Sequence, residues 1–195
     1  MTRPKVFGIG LQRSGTTSLH LALQQLGYRS RHFVPELLQG LAQNPVLEKY
    51  EAFSDNPVPL FFRELDALYP GSKFILTVRP IEAWLASCAW MFREKRRAWG
   101  FDTRADVREI HARWYGQHHF DEMVFRQVYI QHHQEVALHF AHRTQDLLTL
   151  HLEEGKGHWE ELVDFLGIEA CPRKPFPHHL DRGPWYRLWR SWRGA

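Results

Sequence analysis

The sequence predicts an α/β fold of three layers, a central mostly parallel sheet flanked by helices. Three observations carry that prediction. Short apolar runs alternate with amphipathic stretches along the chain, which is the pattern of parallel βαβ units. The first run leads straight into a glycine-bounded loop and a helix, as phosphate-binding loops (P-loops) do. "KFILTV" (73–78) reads as a strand buried on both faces, with Arg79-Pro80 opening the next helix.

The elements follow in order. "KVFGIG" (5–10) is a short apolar strand ending in glycine. After the loop, Leu19, Ala22, Leu23 and Leu26 recur at helical spacing, and Gly27 stops the helix. "YRSRHF" (28–33) is read as a second strand, a proline-marked helix as covering about 35–43, and "YEAFSD" (50–55) as a strand ended by Asn56-Pro57. Residues 59–69 are helical up to Pro70-Gly71. Beyond Arg79-Pro80, Ile81, Trp84, Leu85, Cys88 and Phe92 form one apolar stripe. Helices are predicted at about 103–118 and 121–143, a last strand at "LLTLHL" (147–152), and a helix at about 157–166 that ends at Gly167.

The chain has 195 residues, 44% of them hydrophobic and 24% charged, which suits a single domain over 1–183 with an aromatic, basic tail over 184–195. No run of 18 apolar residues occurs, and the first residues lead directly into a strand, so neither a membrane span nor a signal peptide is expected. Cys88 and Cys171 could form at most one bridge and have no metal-type spacing, which points to a reducing, cytoplasmic setting. The formal charge of +3 is too mild to call for nucleic acid and suits a small anionic ligand.

The chemistry concentrates in "GIGLQRSGTTSL" (8–19). Gly10 and Gly15 have the spacing of a nucleotide-binding loop, but Thr16 and Thr17 stand where a lysine and a hydroxyl residue would follow. Backbone N–H groups at such a strand–loop–helix junction cradle an anion, the two hydroxyls add donors, and Arg13 supplies the positive charge that the lysine would have given. A neighbouring strand in NTPases ends in an aspartate that helps hold Mg²⁺, whereas "KFILTV" ends in Arg79. An arginine there meets anionic oxygens directly. Ser87, eight residues on, lies two turns into the following helix and reaches the same anion.

These residues carry a resemblance. "QRSGTTSL" resembles the 5′-phosphosulfate loop of sulfotransferases, and "VRPIEAWLAS" their 3′-phosphate motif, an arginine after a strand with a serine eight residues later. "FFRELDALYPGSKFILTVR" and "EEGKGHWEELVDFLG" are similar to stretches of the P-loop sulfotransferase-like family, over roughly residues 5–180. The resemblance implies that Arg13, Ser14, Gly15, Thr16 and Thr17 hold the 5′-phosphosulfate of 3′-phosphoadenosine 5′-phosphosulfate (PAPS). It likewise implies that Arg79 and Ser87 hold the 3′-phosphate. "PRKPF", with Arg173 and Lys174, echoes the family's late basic segment. The implied reaction moves a sulfuryl group to a hydroxyl or amine of a small-molecule, lipid or sugar acceptor, with no metal. The alternatives are a small-molecule or nucleoside kinase, and a nucleotide-binding protein without catalysis.

The chain departs from cytosolic sulfotransferases where their catalytic histidine segment would lie: "FSDNPVP" occupies that place. Asp55 ends its strand there, and in open α/β sheets the carboxyl end of a strand beside the loop strand is where a base belongs. The other reading is that Asp55 caps the turn before Pro57. His132 is a further catalytic candidate, and His32 stands next in line. Seven histidines crowd residues 111–142, but no HExxH or cysteine pair completes a zinc set, and His132 falls on the apolar stripe of Phe125, Tyr129, Val136 and Phe140. "REKRRAW" (93–99) is read as a solvated helix end. In the tail, Trp185, Leu188, Trp189 and Trp192 share a helical face flanked by Arg187, Arg190 and Arg193. That face packs on the domain, on a second copy of the chain, or on a membrane surface.

Overall fold

The computed structural model describes residues 3–95, 97–152 and 158–177. Among the described residues five strands form one sheet: β1 (Val6–Gly8), β2 (Ser30–His32), β3 (Ala52–Ser54), β4 (Lys73–Val78) and β5 (Leu147–His151). Their order is β2-β3-β1-β4-β5, and every neighbouring pair is parallel, so the sheet is wholly rather than mostly parallel. A parallel sheet needs cover on both faces, and the alternation along the strands supplies it. Val6 and Ile75 face a core made with Leu19, Leu23, Leu162 and Val163. Phe7 and Phe74 face the opposite core, with Leu65, Val136 and Phe140.

The first core belongs to helices α1 (Thr16–Gln25) and α7 (His158–Leu166), the second to α3 (Phe62–Leu68) and α6 (Glu122–His139). A third cluster joins α4 (Ile81–Glu94), α5 (Ala105–Tyr115) and α6 around Trp84, Phe92, Tyr115 and Phe125. Gly116, at φ 64°, ends α5 in a left-handed turn.

The expected helix over 35–43 does not form. A 3₁₀ turn spans Pro35–Gln39 and stops at Gly40, whose φ of 123° no helix accepts. A short α2 (Pro45–Lys49) follows, started by Asn44, whose side chain accepts the Val46 N–H, and by Pro45 in the first turn. The helix expected over 59–69 is likewise divided, a 3₁₀ turn at Val58–Phe61 preceding α3. The first strand stops at Gly8 because residues 9–15 are committed to the loop. The tail over 184–195 lies outside the described residues.

The chain runs from β1 out to β2, back through β3, then across to β4 on the other side of β1. The loop after β1 therefore sits where the connections diverge, the place at which open α/β sheets bind ligands.

Candidate functional site

The loop is built by backbone and hydroxyl bonds. Ile9 keeps one more sheet bond, its N–H donated to the Ile75 carbonyl at 2.8 Å. Ser14 then closes the turn twice on Leu11 O, through its N–H at 3.1 Å and its hydroxyl at 2.6 Å. The same hydroxyl lies 2.7 Å from Thr77 Oγ1 on β4. Only glycine fits at position 10, where a Cβ would stand 2.0 Å from Thr77 Oγ1 and 2.6 Å from the Thr77 carbonyl. Gly15 has φ 108° and precedes α1 with no side-chain cap and no acidic residue in the first helical turn. The N–H groups at this helix end are thus left to an anion.

On the β4 side the loop meets cations. Arg13, itself at φ 71°, donates from Nε to Ser87 Oγ at 3.0 Å and lies over the Trp90 ring at 5.5 Å. Arg79 Nη1 reaches the Arg13 carbonyl at 3.5 Å, and the Arg79 carbonyl accepts from Tyr129 OH at 2.7 Å. Burial pushes the Cys88 thiol far up, while the Arg13 and Arg79 charges both pull against that shift. Ser87 has no exposed surface and is covered by Arg13.

On the β2–β3 side the loop meets groups that carry protons. Asp55, just past β3, sits in the left-handed region at φ 69° and is buried. His32 Nε2 lies 3.4 Å from Asp55 Oδ2 and 3.4 and 3.3 Å from the Thr16 and Thr17 hydroxyls. Asp55 Oδ1 is buried and has no hydrogen-bond partner among the described residues. His20 stands behind, its ring 5.5 Å from that of His32 and its Nδ1 2.8 Å from Ser30 Oγ. Burial holds the His20 pKa down at about 4, with His32 and Arg31 adding to the effect.

Several residues that the sequence did not single out hold the loop in place. The Gln12 side chain donates to Tyr115 OH at 3.1 Å and accepts from Asn56 at 2.6 Å, while Trp114 Nε1 donates to Asn56 Oδ1 at 2.9 Å. Trp84 Nε1 donates to the Gln12 carbonyl at 2.8 Å. Gln12, between Leu11 and Arg13, carries no sequence pattern that points to this network.

The remaining candidates lie apart from the loop mouth. His132 is buried in α6, and its Nε2 donates to the Ile9 carbonyl at 2.7 Å, so it props the loop strand from below. Burial lowers its pKa to about 4, against the opposing pull of that carbonyl bond. A neutral ring enclosed this way faces no acceptor. Arg173 and Lys174 are exposed, and the Lys174 carbonyl accepts from Trp159 Nε1 at 2.7 Å. The histidines of residues 111–142 disperse: His139 pairs with Asp66, His133 stacks on Tyr129, and His111 packs on Phe92 and Phe101. Among the described residues no group of three His, Cys, Asp or Glu could hold a metal, and no helix is long and apolar enough to cross a membrane.

The chain that builds this arrangement has relatives of known kind. The sulfotransferase domain family matches residues 5–43 and 41–184. The chain belongs to that family. It is 24% identical over 233 residues to Ava biosynthesis cluster protein M of Aspergillus versicolor, covering 96% of this chain and 88% of that one. The crystal structure of a sulfotransferase from Alicyclobacillus acidocaldarius has the same fold, with a TM-score of 0.57 at 16% identity over 99% of this chain and 92% of the other.

Proposed function

We propose that the chain is a sulfotransferase that uses PAPS and sulfonates a hydroxyl, or an amine, of a small-molecule, lipid or sugar acceptor. The observation that carries this reading is the pairing of a capless α1 N-terminus with Arg79, which follows β4 where a nucleotide kinase would present a Mg²⁺-binding carboxylate. The residues fit a nucleotide with two anionic groups: the amides of residues 15–17 and the Thr16 and Thr17 hydroxyls suit the 5′-phosphosulfate, and Arg79 with Ser87 suits the 3′-phosphate. A move of Arg13 from Ser87 to the phosphosulfate would uncover the Ser87 hydroxyl. A relative named for a biosynthesis cluster supports a small-molecule acceptor over a macromolecular one.

PAPS supplies an activated sulfuryl group with a good leaving phosphate. The chain's own residues do the rest. Arg13 and the loop amides balance negative charge that builds on the bridging oxygen, a preorganised electrostatic contribution. The Asp55 carboxylate takes the acceptor's proton as the new O–S bond forms and the bond to the phosphate oxygen breaks. A thermal-shift comparison tests the reading: PAP should raise the melting temperature equally in EDTA and in Mg²⁺. Stabilisation by ATP–Mg²⁺ but not by PAP would instead favour the kinase, and PAP binding without transfer from PAPS to any acceptor would favour a non-catalytic binder.

A further inference from the structure

We propose that His32 is a positioning residue for the transfer, holding Asp55 Oδ2 and the Thr16 and Thr17 hydroxyls together through a single imidazole nitrogen. The inference rests on the reading of Asp55 as the proton acceptor. His32 ends β2, and its register partner on β3 is Ser54, the residue just before Asp55. Its Nε2 therefore stands between the candidate base, at 3.4 Å, and the two hydroxyls at the start of α1, at 3.4 and 3.3 Å.

The chemistry of those neighbours fixes the state of the ring. A carboxylate has no proton to donate, so the nitrogen facing Asp55 must carry one. That N–H, with three oxygens at 3.3–3.4 Å, has two consequences. Toward Asp55 it stands at ion-pair distance from Oδ2 and orients the carboxylate, whose Oδ1 is buried and without a partner among the described residues. Toward Thr16 and Thr17 it fills an oxygen lone pair, leaving each hydroxyl hydrogen for an anion on the loop. His20, kept neutral by burial and packed 5.5 Å away, buttresses the His32 ring without adding a charge.

Two measurements on the full chain test this. In a long-range ¹⁵N–¹H spectrum at about pH 8.5, where imidazoles are neutral, the His32 proton should reside on Nε2, and Asp55→Ala should erase that preference. A proton on Nδ1 in the unmutated protein overturns the proposal. The second measurement follows PAP release from PAPS with water as the acceptor. His32→Leu should lower kcat about 10–100-fold with KM for PAPS within about threefold, and His32→Gln, which keeps an N–H, should return to within about fivefold of the parent. Added to Asp55→Asn, His32→Leu should cost nothing more, because it acts through Asp55. Unchanged kcat in His32→Leu, or losses that multiply, overturn the inference and leave the Asp55 reading standing. Full turnover in Asp55→Asn removes both. If the unmutated protein releases no PAP, the nitrogen spectrum decides alone.

Discussion

The two flanks of the loop after β1 are built for different tasks. The β4 flank presents Arg13, Arg79 and Ser87, fixed cations and a hydroxyl that answer negative charge. The β2–β3 flank presents Asp55, His32, Thr16 and Thr17, groups that accept, hold or hand over protons. Under the proposed function the cations of the first flank set nucleotide affinity, and Asp55 and His32 of the second set turnover. Substitutions on the two sides should separate cleanly into binding and rate effects.

The largest separation is expected from Asp55→Asn. The amide keeps the shape and the turn before Pro57 but cannot take a proton, so turnover should fall about 10²–10⁴-fold while PAP affinity and melting temperature hold. Turnover within a few-fold of the parent protein would break the contrast at its strongest point. The mirror experiment is Arg79→Ala. Losing a charge-assisted contact should weaken PAP about 30–150-fold and adenosine 5′-phosphosulfate far less, since only PAP carries the 3′-phosphate. Equal losses for the two nucleotides would mean that Arg79 supports the loop through the Arg13 carbonyl instead.

The flanks also differ in how far they could be read from sequence. The anion-binding side is local: Gly10, Gly15 and the α1 start lie within one turn of chain, and Arg79 follows an apolar strand whose pattern is unambiguous. The proton-carrying side is not local. His32 and Asp55 are 23 positions apart in "HFVPELLQGLAQNPVLEKYEAFSD" (32–55), and only the pairing of Ser30–His32 with Ala52–Ser54 brings them together. The same limit explains His132, a plausible reactive histidine by type. It lies on an apolar stripe, and the structure gives its ring to a backbone carbonyl under the loop. The intended helix at 35–43 failed for a backbone reason, the positive φ of Gly40, that no side-chain periodicity reports.

That buried histidine provides a third test, on stability rather than function. Its folded pKa, about 4, is below the ordinary 6.5, so the unfolded chain binds the proton more readily. The stabilisation is present above about pH 6.5 and is lost as pH falls toward 4. Between pH 7 and 5 the parent protein should lose about 2 kcal/mol more than His132→Gln, measured by denaturant unfolding at each pH. Parallel pH profiles for the two proteins would show that His132 is not held neutral beneath the loop.

The smallest expected effect tests the anion-binding flank against itself. Ser87 has no exposed surface and receives the Arg13 Nε–H, so two roles compete for one hydroxyl. If Arg13 swings to the phosphosulfate, Ser87 becomes free to donate to the 3′-phosphate, and Ser87→Ala should weaken PAP alone. A single hydrogen bond of about 1 kcal/mol corresponds to about fivefold in affinity. If Arg13 instead stays on Ser87 in the bound state, the substitution removes the anchor of a guanidinium that serves the 5′ end. PAP and adenosine 5′-phosphosulfate would then weaken together. Titrating both nucleotides against both proteins distinguishes the cases, and a loss confined to PAP is the expected result. It would mean that the contact between Arg13 and Ser87 gives way on binding, so that one arginine's movement readies both phosphate positions of this flank.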